Sequence, residues 1–222
     1  VTDKKDELSA QAAEQISNLI RKNKSVNLGL PTGNTPLLMY QHLVKLSEQN
    51  DLDWSHVHCF ALDEYLDSPP EHSFQTYLES NLYDKVGVPK ANQHNPATTD
   101  NYDSIIKEHG GLNLTILGIG LNGHIAFNEP GTPQLSFTQC IWLQDTSRKA
   151  LSKTFGSLEA TPITAVTMGI STILASQTIV MLAFGADKKQ IVEKAFANGV
   201  DPNVPASYLK LHGTVSVLTD TQ

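Results

Sequence analysis

The run Thr178-Ile179-Val180-Met181-Leu182-Ala183-Phe184 leaves this chain few choices of fold. It is apolar, β-branched and continuous, with no alternation of polar positions. A strand of that kind is covered on both faces, and its usual setting is a parallel sheet between layers of helices. Gly185 to Lys189 then turns the chain into a helical pattern from Gln190 to Ala197. Strand, turn and helix form the unit from which such sheets are built.

The unit recurs along the chain. Lys4 to Asn23 places Leu8, Ala12, Ile16, Leu19 and Ile20 at helical spacing. Ser25 to Leu30 reads as a strand, Pro31 to Pro36 as a turn, and Leu37 to Leu46 as a helix. Trp54 to Leu62 is a second strand, ending at Asp63-Glu64-Tyr65. Ser73 caps a helix that runs to about Tyr83. Val86 to Thr99 is irregular, and Asp100 to His109 is a helix stopped by Gly110-Gly111. Leu112 to Leu117 is a strand that feeds the turn Gly118 to Pro130. Further on come a short strand at Cys140 to Leu143, a polar helix or turn at Thr146 to Phe155, and an extended segment at Thr161 to Met168. A short helix at Gly169 to Ala175 and a last strand at Leu211 to Leu218 complete the pattern. No Pro/Gly/Ser-rich linker divides it, so residues 1–222 are expected to form a single α/β domain with a mainly parallel sheet.

Bulk composition narrows the function. The net charge is −7 and no Lys/Arg cluster stands out, which argues against nucleic acid as a partner. An acidic chain that binds an anion must do so locally, with backbone N–H groups and a few placed cations. No apolar run is long enough to span a bilayer. The charged start, Asp3 to Glu7, does not read as a signal peptide, so a cytoplasmic location is expected. Cys59 and Cys140 lie in apolar runs without CxxC spacing, so both read as buried free thiols and no metal site is expected.

Four polar clusters follow the strands: Thr32-Gly33-Asn34-Thr35, Asp63-Glu64, Asn122 to Glu129, and Lys188. In a parallel sheet they share the carboxyl rim, where ligands of open α/β sheets bind. The first stands before a helix whose free N–H groups suit a phosphate, although Thr and Asn are also ordinary caps. His124 exchanges protons near neutral pH, and Glu129 can orient it or share its proton. Lys188 sits at a helix start, where a cation is unfavourable unless an anion is near.

Leu62-Asp63-Glu64-Tyr65, the block Gly123-His124-Ile125-Ala126-Phe127-Asn128-Glu129-Pro130, and Pro31-Thr32-Gly33-Asn34-Thr35-Pro36 together resemble the glucosamine-6-phosphate deaminases, from about Leu28 to His212. The resemblance implies a Rossmann-like three-layer αβα fold. It also implies conversion of glucosamine 6-phosphate and water to fructose 6-phosphate and ammonium, with no metal or organic cofactor. Asp63 would then be the base at C2 and His124 the ring-opening group, flanked by Asn122 and Glu129. Thr32, Gly33, Asn34, Thr35 and Lys188 would hold the 6-phosphate.

Asn122 stands where many members carry Asp, which makes it an orienting hydrogen-bond partner and not a proton carrier. Asn34 stands where the phosphate turn often has Gly. Lys153 falls about where larger members place an Arg on the substrate. The basic residues that larger members use for an activator are not evident around Phe137 to Ile141. An unregulated enzyme, monomeric or a small homo-oligomer, is therefore expected. The competing readings are a 6-phosphogluconolactonase, disfavoured by Glu129 and Asp63-Glu64-Tyr65, and a non-catalytic sugar-phosphate-binding protein, disfavoured by the intact acid–base set.

Overall fold

The structure is a computed structural model that describes residues 3–197 and 199–221. In chain order the main elements are α1 (Lys4–Lys22), β1 (Val26–Leu30), α2 (Leu37–Asn50), β2 (Val57–Ala61), β3 (Asp63–Tyr65), α3 (Phe74–Leu78) and α4 (Asp84–Val86). Then come β4 (Gln93–His94), α5 (Tyr102–Glu108), β5 (Leu114–Gly118), β6 (Gln139–Trp142), α6 (Asp145–Phe155) and β7 (Thr164–Thr167). The last are α7 (Ile170–Leu174), β8 (Thr178–Ala183), α8 (Lys189–Ala197) and β9 (Val215–Thr219). A π-helical turn, Glu79–Tyr83, joins α3 to α4, so the expected helix after Ser73 continues past Tyr83.

Six strands form one sheet in the order β4-β2-β1-β5-β8-β9, and every pairing in it is parallel. Alternate residues along the strands enter different cores. Cys59, Ala61, Val180 and Leu182 pack with Ala12, Ile16 and Ile20 of α1 and with Met39, Tyr40 and Leu43 of α2. Phe60, Ile179, Met181 and Ala183 pack on the other side with Ile106 of α5, Ile170 and Ile173 of α7, and Ile191 and Ala195 of α8. This is the expected three-layer αβα arrangement. Ile179 to Ala183 is buried on both sides because both layers cover it.

A second sheet was not legible in the sequence. β3, β7 and β6 form an antiparallel sheet in the order β3-β7-β6, with Asp63 opposite Thr167 and Tyr65 opposite Ala165. The two sheets meet at Leu62, whose N–H donates to Leu30 O while its carbonyl accepts from Met168 N–H. A small aromatic core under α6 joins Tyr65, Phe74, Phe127 and Phe155.

Two expectations need correction. Cys59 is buried, but Cys140 is exposed, because β6 is the outer strand of the small sheet and its side chains mostly face out. The last strand begins at Val215 and not at Leu211, which ends a 3-10 segment, Pro205–Leu211. No helix among the described residues is long and apolar enough to cross a membrane.

Candidate active site

The strand order reverses its direction of growth at β1. β2 lies on one side of β1 and β5 on the other, so the gap between the carboxyl ends of β1 and β5 is the topological switch point, the usual crevice for ligands in such sheets. The turn Thr32–Thr35 follows β1, and the loop Ile119–Pro130 follows β5. Lys188 reaches over from the end of β8 and donates from Nζ to Ile119 O at 2.8 Å.

Within the loop a polar chain fixes His124. Asn122 Nδ2 donates to Glu129 Oε2 at 2.6 Å. The Asn122 Oδ1 oxygen accepts from the His124 backbone N–H at 3.1 Å and lies 2.8 Å from His124 Nδ1. An amide oxygen can only accept, so Nδ1 carries the proton and Nε2 keeps its lone pair. Glu129 takes a second bond, from Ser147 Oγ of α6 at 3.0 Å. Burial lowers the His124 pKa and the Lys188 charge lowers it further, while Glu129 pulls it back up. The ring is therefore neutral near pH 7.

Glycine is required where the ring lies. A Cβ at Gly120 would overlap the His124 imidazole. Gly123 has φ +86° and a Cβ there would meet Val204, so the turn closes only without side chains. Ala126 is held at φ 50°. This is an uncommon conformation for a residue with a side chain. Around it, Asn128 Nδ2 ties the loop down by donating to Ile125 O and Met168 O.

Asp63 and Glu64 are both buried, with fates set by strand alternation. Glu64 accepts four hydrogen bonds, from Tyr65 N, Phe74 N, Gln75 N and Asn95 Nδ2. It is an architectural anion at the start of α3. Asp63 makes no side-chain hydrogen bond among the described residues. Burial, and secondarily the Glu64 charge, pushes its pKa up to about 8. An acid of that proton affinity at a strand end marks a functional group more often than a structural one. It joins the histidine loop through Thr167, its partner across the small sheet, whose Oγ1 accepts from Phe127 N–H at 3.0 Å.

The turn after β1 has its carbonyls held outward. Tyr40 Oη donates to Pro31 O and Tyr77 Oη to Gly33 O. Gly33 takes φ +92°. Among the described residues the N–H groups of Gly33, Asn34 and Thr35 have no acceptor, and they precede α2. Free N–H groups at a helix start bind anions.

The structure brings together the turn, Asp63, Asn122, His124, Glu129 and Lys188 on one rim. It does not bring in Lys153. On α6 the residues Ser147, Leu151 and Phe155 face inward at helical spacing, and exposed Lys153, two residues from Leu151 and from Phe155, lies on the opposite face. Sequence reasoning missed Ser147, whose only local signal was its place in the first turn of α6.

This arrangement sets a neutral histidine, a buried carboxyl of raised proton affinity and a turn of free N–H groups at the switch point of a parallel α/β sheet. The family described as glucosamine-6-phosphate isomerases/6-phosphogluconolactonase matches residues 3–217, and the chain belongs to that family. A protein of Bacillus pumilus named glucosamine-6-phosphate deaminase is 38% identical over 228 residues, covering 98% of this chain and 95% of its own. One of the same name from Lachnoclostridium phytofermentans is 39% identical, covering 96% and 94%. Among solved structures, a monomeric glucosamine-6-phosphate deaminase superposes with a TM-score of 0.92 at 33% identity, over 97% of this chain and 93% of that one. The 6-phosphogluconolactonase of Thermotoga maritima reaches 0.75 at 19% identity, over 99% and 96%, and shares the fold.

Proposed function

We propose that this chain is a glucosamine-6-phosphate deaminase, folded as a single domain, that converts glucosamine 6-phosphate and water to fructose 6-phosphate and ammonium. The observation that carries the mechanism is the chain from Glu129 through Asn122 to His124. It leaves a neutral imidazole with Nε2 free both to take and to give a proton. Relatives of that name at 34–39% identity over nearly the whole chain support the substrate.

The free N–H groups of Gly33, Asn34 and Thr35, with the Thr32 and Thr35 hydroxyls and the Lys188 charge, bind the 6-phosphate. His124 Nε2 takes the proton of the O1 hydroxyl and delivers it to the ring O5, which breaks the C1–O5 bond and gives the open aldehyde. Its C2 hydrogen is now acidic. Asp63, ionised and desolvated, removes it, and the electrons move onto the C1 oxygen, which takes up a proton released by the C2 ammonium to give an enolamine. Asp63 returns the proton to C1, leaving an imine at C2. Water adds there, and ammonium departs. Glu129 balances the charge that His124 acquires in passing. Asn122, an amide, holds the tautomer and carries no proton.

Purified protein incubated with glucosamine 6-phosphate should release ammonium and fructose 6-phosphate in equal amounts. Failure to do so, together with hydrolysis of 6-phosphogluconolactone, overturns the proposal in favour of a lactonase. Binding of the sugar phosphate without either reaction would make the chain a non-catalytic sugar-phosphate protein. Adding N-acetylglucosamine 6-phosphate should leave the kinetics hyperbolic and unchanged. The same protein should run as a monomer or small homo-oligomer in sedimentation.

A further inference from the structure

Three histidines converge away from this rim. His58 stands on β2, His94 on the edge strand β4, and His109 at the end of α5. One ring nitrogen from each lies within 4.8 Å of the others. His58 Nδ1 and His94 Nε2 are 3.1 Å apart. All three rings are half-buried. We propose that His58, His94 and His109 form a binding site for one divalent transition-metal ion of the zinc type.

The spacing fits the chemistry. Zinc–nitrogen bonds of about 2.05 Å in a tetrahedron place neighbouring nitrogens roughly 3.3 Å apart. The His58–His94 pair is already there. His109 needs only a ring movement of about 1.5 Å or less, from the observed limit of 4.8 Å. Three imidazoles suit zinc, nickel, cobalt or copper better than magnesium or calcium. Water completes the tetrahedron at the fourth position.

Two of the ligands, His109 and His94, are supported from behind. His109 Nδ1 donates to Ile105 O at 2.8 Å, which leaves Nε2 with its lone pair and no partner among the described residues. That arrangement is the one metal-bound histidines adopt. Asn27 Nδ2 donates to His109 O at 2.7 Å and so pins its backbone. Tyr102 Oη donates to His94 O at 3.0 Å, and the Phe60 ring stacks on His94 with centroids 4.2 Å apart.

Four residues lie between His58 and Asp63, and the strand from His58 to the bend at Leu62 alone spans roughly 13 Å at 3.3 Å per residue. The ion is therefore structural and not catalytic. It would fasten the edge strand β4 and the end of α5 to the main sheet. The inference stands independently of the deaminase reading.

The test uses the full chain, stripped with chelator and dialysed. Zinc ion is titrated by calorimetry, and bound metal is counted by elemental analysis. The expected result is one ion per chain, held at least 100-fold more tightly than by H58Q/H94Q/H109Q. A rise in Tm with zinc should be seen in the unaltered protein and lost in H94Q. Equal uptake by the unaltered and triple-substituted proteins, or no uptake, overturns the proposal. If the variants fail to fold, cobalt ion added to the unaltered chain decides: strong visible absorption of a tetrahedral site supports the proposal, and the weak spectrum of the hydrated ion refutes it. Turnover of the unaltered enzyme should be the same with and without chelator at 25 °C.

Discussion

Replacing Asp63 by Asn should abolish turnover and stabilise the fold, by an amount that grows with pH. The buried Asp63 carboxyl titrates at about 8 when folded, against an ordinary carboxylate value of 3.8. Between these values the folded chain keeps a proton that the unfolded chain has released. Raising the pH through that window therefore weakens folding by about 1.4 kcal/mol per unit. The stability linked to Asp63 is fully present below 3.8 and is lost as pH climbs through about 8. Asn has nothing to ionise. The D63N protein should gain on the parent by roughly 4 kcal/mol between pH 4 and pH 7, and by roughly 6 kcal/mol by pH 9. Urea unfolding of both proteins at pH 5, 7 and 9 measures the difference. A constant offset between the two, whatever its size, comes from packing and does not matter; the slope carries the argument. Parallel curves with no change in the difference would show that Asp63 titrates as an ordinary carboxylate, and the account of a desolvated base would fail. On the kinetic side, kcat/KM of the parent should rise with pH up to about 8, the pH at which Asp63 ionises.

Three further substitutions probe the surrounding parts. Glu64→Gln leaves one acceptor oxygen for four donors, so it should destabilise the protein by about 3 kcal/mol, a fall in Tm of roughly 6–12 °C; a melt within 2 °C of the parent would mean that the anchor at α3 is dispensable. Gly120→Ala drives a methyl group into the His124 ring and should lower kcat by about 100-fold through displacement of the imidazole, with binding of the sugar phosphate retained; unaltered kcat would refute the packing of that ring. Asn122→Asp puts an anion beside His124 and a second carboxylate beside Glu129, which raises the imidazole pKa. Histidine proton resonances followed against pH should show that upward shift, and their failure to move would remove Asn122 from contact with the ring.

Much of this arrangement was legible in the chain because the physics was local. Thr178 to Phe184 is apolar throughout, so its double coverage followed from composition. Gly33, Gly120 and Gly123 mark turns that only glycine closes, and they bracket the rim. What was hidden depends on partners distant in sequence. Asp63-Glu64-Tyr65 carries no strand pattern, and it is extended because β7, about a hundred residues later, pairs with it. The apolar run from Cys140 suggested burial, but nothing local says that its strand lies at the edge of a small sheet. Ser147 reads as a helix-start residue until Glu129 is placed against it. Lys153 sat at a plausible position in the sequence, and only the rotation of α6 shows that it faces away. His58, His94 and His109 are separated by 36 and 15 positions and meet through β2–β4 pairing and the end of α5.

The junction at Leu62 has a mechanical consequence. Its N–H is fastened to the large sheet and its carbonyl to the small one, so the residue acts as a pivot between two plates. The turn of free N–H groups, Gly33 to Thr35, rides on the large plate. Asp63 is the first residue of the small plate, and α6, stapled to the same plate by its aromatic core, carries the Ser147 contact to Glu129. A tilt of the small plate would therefore shift Asp63 and the support of His124 together, relative to the turn after β1. Such a linkage would place the alignment of Asp63 and of the His124 support under a single moving part.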